Sequence, residues 1–101
     1  MTQARFLEPA EAELEEAVGY FDRQSVGLGN RFEREVEAAV ALVTQHPEIG
    51  SPLTKRVRKF RVRKFKYKII YIAEGDEIIV IAVAHHKKRP RYWRYRIPPK
   101  P

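Results

Sequence analysis

Residues 85–96 read His85-His86-Lys87-Lys88-Arg89-Pro90-Arg91-Tyr92-Trp93-Arg94-Tyr95-Arg96, a run holding every side-chain type that metal-free phosphate chemistry needs. Attack by a ribose 2′-hydroxyl on its own phosphate requires a base at the hydroxyl, cations for the developing charge and a donor for the leaving oxygen. Histidine, lysine, arginine and tyrosine divide those roles, and the same groups serve simple anion binding. Spacing alone does not choose between the two. Adjacent histidines at a strand end more often hydrogen-bond locally than catalyse. On a strand they point to opposite faces, and the one further histidine, His46, is distant, so no metal site is expected. No cysteine is present, which removes disulfides and thiol ligands, and no cofactor is implied. Trp93 reads first as a packed anchor and second as a surface ring for a target.

The charge that surrounds this run is segregated. Residues 1–50 carry ten acids against four bases, whereas residues 51–101 carry sixteen bases against Glu74, Asp76 and Glu77. The net charge is thus −6 in the first half and +13 in the second, within a total of +7. Such a chain presents one surface to polyanions and keeps another clear of them. The basic half also holds Phe60, Phe65, Tyr67, Tyr71, Tyr92, Trp93 and Tyr95, and bases interleaved with rings suit a nucleic-acid surface. At 101 residues one domain with a modest core is expected, with any chemistry on an open face. The start of the chain lacks the apolar stretch of a secretory signal, and Ile78–Ala84 is far shorter than the roughly 20 residues of a membrane span. A soluble, cytoplasmic protein with no membrane partner is therefore expected.

The elements that must position these groups are legible as periodicities. Residues 9–24 predict a helix, with Pro9 and several glutamates at its start and Leu7, Ala10, Leu14, Val18 and Phe21 as its buried stripe. Its glutamates read as a solvated face. A turn at Ser25–Asn30 leads to a second helix ending near His46, before Pro47, with Leu28, Phe32, Val36, Ala39, Val40 and Val43 inward. Together they make an antiparallel helical hairpin. Strands follow at Val57–Val62, around Phe65–Ala73, and at Ile78–Ala84, with a further short strand at Gln3–Leu7. The parity change between Phe60 and Phe65 requires a turn or bulge between Arg63 and Lys66. The fold class is α+β, order β-α-α-β-β-β, with the hairpin packed on one face of a small antiparallel sheet. Residues 1–96 form the domain and 97–101 a frayed tail.

A two-residue loop at Gly75-Asp76, of type II′, fixes a register. It places Tyr67, Ile69, Tyr71 and Ala73 opposite Ala84, Ala82, Val80 and Ile78 on the helix-covered face. The other face then carries Ile70, Ile72, Ile79 and Ile81 at the turn end. Lys66, Lys68, His85 and Val83 lie at its far end, joined by Lys59 or Arg61. Two helices cover one side of a sheet only, so this apolar patch must meet the chain's own tail or a partner.

Phe65-Lys-Tyr67-Lys-Ile-Ile-Tyr71, then Glu74-Gly75-Asp76-Glu77, Ala82-Val83-Ala84-His85 and Arg89-Pro90-Arg-Tyr92-Trp93, following a helical hairpin, resemble the RelE/ParE superfamily. These are toxins of bacterial type II toxin–antitoxin modules, and the likeness spans residues 3–96. It implies growth inhibition, a cognate antitoxin wrapped around the toxin, and a seat for that antitoxin on Ile70, Ile72, Ile79 and Ile81. RelE-like members cut messenger RNA on the ribosome, while ParE-like members poison DNA gyrase. Carried over by gapless placement, the RelE-like catalytic set falls at Lys59, Arg61, Lys68, His86 and Tyr92. Only Lys59 and Tyr92 keep the family's residue, and lysine and histidine in place of two arginines lose bidentate phosphate recognition. Lys66 stands where relatives often have proline. The Ala-Val-Ala-His and Pro-Arg-Tyr-Trp signatures resemble the ParE-type, plasmid-stabilisation branch.

The reading favoured by these residues is a ParE-like gyrase poison that binds its target through Lys66, His85, Lys87, Lys88, Arg89, Arg91, Trp93 and Arg94. A ribosome-dependent, metal-independent endoribonuclease is the enzymatic alternative, with ribosome and message as partners. A non-toxic nucleic-acid-binding module is the third, and it rests on charge alone.

Overall fold

Pro9 and the acids Glu8 and Glu11 occupy the first turn of α1 (Glu8–Gln24), where a missing N–H costs nothing and negative charge meets the helix dipole. Gly27, at φ 85°, takes the left-handed conformation that starts α2 (Leu28–Gln45). Asp22 Oδ1 accepts the Gly29 N–H at 2.8 Å, and a β-carbon at Gly29 would lie 2.4 Å from Val18 O. The two helices therefore close only on a glycine. The computed structural model describes residues 3–100. Its strands are β1 (Gln3–Phe6), β2 (Ser51–Pro52), β3 (Val57–Arg61), β4 (Tyr67–Glu74) and β5 (Glu77–His85), with a 3-10 turn at Arg94–Arg96.

The sheet order is β1-β5-β4-β3-β2. β1 runs parallel to β5 and the other pairs are antiparallel, so the sheet is mixed rather than wholly antiparallel. The two-residue β2 was not expected; it holds the edge with a proline, which cannot donate to a further strand. Between β3 and β4 the chain turns through Lys64 at φ 69°, in the interval where parity demanded it. Of the two loop residues after β4, only Gly75 has a positive φ (59°), as a type II′ turn requires.

The register departs from expectation at one point. Near the turn it holds, with Ala73 opposite Ile78, Ile72 opposite Ile79 and Tyr71 opposite Val80. The next pair is Ile70 with Ala82, so Ile81 is an extra residue on β5, a bulge. Everything beyond shifts by one: Val83 joins the helix-side core, while Ala82 and Ala84 turn to the front. His85, now opposite Tyr67, also lies on the helix side, not beside Lys68. The alanines thus make room on the front.

The back core joins Ala10, Ala17, Phe32, Val36, Ala39 and Val43 of the helices to Ile69, Tyr71, Ile78, Val80 and Val83 of the sheet. At its wide end Phe21, Phe32, Phe65 and Tyr67 pack edge-on or tilted, with ring centroids 4.8–5.8 Å apart. Tyr71 is fully buried, donating to Pro47 O at 2.8 Å and accepting from Gly50 N–H at 3.0 Å.

The front is closed by the chain itself. Trp93, 3% exposed, packs on Val57, Ile70, Ile72, Ile79, Ile81, Ala82 and Ala84, with Leu7, Leu53, Tyr92 and Ile97 around it. The four isoleucines expected to seat an antitoxin are therefore buried in the free chain. Trp93, a candidate target-binding ring, is the anchor of this cover instead. Beyond Trp93, Ile97 joins that core, and Arg56 Nη1 donates to Pro98 O at 2.9 Å.

Candidate functional site

Two cross-strand rows reach the uncovered end of the front, Lys59–Ile70–Ala82 and Arg61–Lys68–Ala84. Because Ala84 is small, a cleft of about 280 Å³ opens between the sheet, Leu53 and the turn after β5. Lys59, Lys68, His86, Lys88, Arg89 and Arg91 line it, with Tyr92 and Trp93 as its wall and no carboxylate among the lining residues. The turn is fixed by backbone bonds from Lys88 N to His85 O, Tyr92 N to Arg89 O and Arg94 N to Arg91 O. Arg91 sits at φ 60°, left-handed for a non-glycine, and its guanidinium donates to Leu53 O at 3.2 Å. Lys88 Nζ lies 5.3 Å from the Tyr92 ring centroid.

Of the RelE-like set, the structure brings Lys59, Lys68 and His86 together. Arg61 shares their face by register but lines a separate groove against α2, with Phe60 and Leu42. Tyr92 contributes its ring only, because its hydroxyl donates to Glu13 Oε2 at 2.6 Å. Burial first, and then that bond, push its pKa well above the ordinary phenol value. A phenol held this way is a poor general base. Among the residues expected to meet a target, Lys88, Arg89 and Arg91 line the cleft, and Lys87 and Arg94 are exposed outside it. Lys66 and His85 line the opposite groove, where burial and the neighbouring His86, Lys87, Lys66 and Lys88 hold the His85 pKa below its usual value.

Glu13 is a half-buried structural residue that the solvated-face reading of α1 missed. β1 stops at Phe6 opposite Val80, leaving the rest of β5 without a strand partner on that side. Glu13 Oε1 accepts the Val83 N–H at 3.0 Å, and Arg96 Nη1 donates to Ile81 O at 3.0 Å. Arg96 also donates to both Glu13 oxygens, at 2.8 and 3.2 Å, with side chains only 8% and 18% exposed. Burial alone would lower the Arg96 pKa, but its bonds to Glu13 and Tyr95 hold it above the ordinary value. This clasp plugs the strand edge with charge and ties the C-terminal strap to α1. The sequence did carry a signal: Glu13 falls three residues after Ala10 and four before Ala17, inside the buried stripe.

A groove of about 560 Å³ lies on the helix side between α1 and the end of β5, lined by Tyr20, Phe21, Phe65, Tyr67 and His85 among others. No helix among the described residues is long and apolar enough to cross a membrane.

No curated protein sequence matches the chain. Among solved structures, one from the chromosomal ParDE toxin–antitoxin system of P. aeruginosa is similar in fold, with a TM-score of 0.62 at 13% identity. The likeness covers 84% of this chain and 96% of that one. The model of one protein family, the ParE toxin of the type II toxin–antitoxin system parDE, matches residues 4–90, from β1 to Pro90 in the turn after β5. On that match the chain belongs to the ParE toxin family.

Proposed function

We propose that the chain arrests growth by acting on DNA gyrase and is neutralised by a cognate antitoxin. The family match over residues 4–90 carries the reading, and the engaged Tyr92 hydroxyl supports it by removing a base that a nuclease would need. The exposed cations Lys66, Lys87 and Arg94 supply contact with the target. An antitoxin that reaches Ile70, Ile72, Ile79 and Ile81 does so by lifting the strap that covers them. Purified protein added to a gyrase supercoiling reaction is expected to suppress supercoiling or accumulate cleaved DNA; unchanged topology and unchanged cleavage would overturn the reading.

The endoribonuclease reading keeps one observation in its favour, the convergence of Lys59, Lys68 and His86 in one cleft. Message length after induction tests it: shortened transcripts that His86→Ala restores would establish it, and full-length transcripts would remove it.

A further inference from the structure

We propose that the cationic cleft is a binding site for the phosphodiester backbone of a nucleic acid, which it holds without cutting. Lys59, Lys68, His86, Lys88, Arg89 and Arg91 converge on it from β3, β4 and the turn after β5. The ion pairs among the described residues, Arg5–Glu77, Arg56–Glu74 and Arg96–Glu13, all lie outside it. Positive charges gathered at one concavity without carboxylates repel one another, and a polyanion relieves that repulsion while releasing its own counterions.

The site is built rather than incidental. Lys59 and Lys68 stand on adjacent sheet strands, and Arg91 is held in a left-handed backbone conformation by the turn and by Leu53 O. The alanine floor keeps the cleft open at about 280 Å³, room for a phosphate and its sugar. An acidic protein segment fits less well. Protein partners anchor through apolar contacts, and the large ring here, Trp93, is already buried. The phenol at the cleft is committed to Glu13, so Tyr92 is withheld as a base for a 2′-hydroxyl.

This inference stands on the cleft and on no step of the gyrase reading. The test is fluorescence anisotropy with the full chain and a short labelled DNA duplex, a single-stranded DNA and an RNA of the same sequence. Removing Lys59 and Lys68 together, by substitution with Gln, is expected to weaken duplex binding about eightfold per lost contact at 0.1 M salt, as a slope of about −0.9 per phosphate gives. The log K against log salt slope is expected to flatten by about one per lysine. Arg31→Ala with Arg34→Ala, the same charge change on exposed α2 positions, is expected to have a smaller effect, and RNA to be recovered at full length. Equal loss in both double variants would overturn the proposal, as would shortened RNA. Loss of gyrase binding with oligonucleotide binding intact would do the same, since the occupant would then be protein. Gyrase inhibition is measured alongside: its absence in a protein that binds DNA through the cleft removes the gyrase reading and leaves this one standing.

Discussion

The back of the sheet is covered by helices of 17 and 18 residues, whereas the front is covered by the strap of residues 92–98. The helices bury their stripe through many mid-sized side chains at regular spacing, so no single residue carries the face. The strap relies on one large ring, Trp93, and on one charged clasp, Glu13–Arg96–Tyr92. A cover this short leaves part of the front open, and the open part is the cationic cleft. The same economy makes the front more vulnerable to single changes than the back.

Trp93→Ala is expected to show that vulnerability most strongly, with about 3–5 kcal/mol lost in denaturant titration. It is also expected to cause rapid tryptic cleavage after Arg91, Arg94 and Arg96. Next comes Glu13→Ala, which leaves Arg96 buried without its partner and is expected to cost about 2–4 kcal/mol, toward the lower side of a fully buried pair because both groups keep some solvent. Replacing the pair together by Glu13→Leu and Arg96→Met is expected to cost less than either single change, read as a double-mutant cycle. Tyr92→Phe removes one hydrogen bond to a carboxylate and is expected to cost about 1.5–3 kcal/mol in thermal unfolding. Growth arrest is expected to survive that substitution; its loss with stability restored by other means would restore Tyr92 as a catalytic candidate.

The smallest expected effect lies on the helix side. Because the folded His85 pKa is depressed, the unfolded chain takes up a proton that the folded chain refuses as pH falls through about 6.5. Stability is therefore expected to decline below that pH, and His85→Asn to flatten the decline, as measured by unfolding at a series of pH values.

How far the sequence carried the account differs between the two faces as well. The helical hairpin and the Gly75 turn were legible because apolar spacing, Pro9 and a glycine at the required φ each act locally. The bulge at Ile81 was not. Residues 78–84 are all apolar, so their pattern is silent about which face each one takes, and a one-residue slip leaves no polar side chain in the wrong place. That silence misplaced Ala82, Val83, Ala84 and His85, and with them the seat of the cleft. The strap was foreseen only as one of two possible covers for the isoleucine patch. Its clasp depends on contacts between residues 13 and 96, which no local pattern encodes. Lys59 and Lys68 share the cleft because the β3–β4 pairing, which the bulge does not touch, puts both on the front.

The chain has one tryptophan, and it is the strap's anchor, so its fluorescence reports directly on whether the front is closed in the free protein. A closed front gives a blue-shifted emission and weak quenching by acrylamide, both turning water-like only when Glu13→Ala and Tyr92→Phe release the clasp. Emission and quenching like those of free indole in the unaltered chain would contradict it.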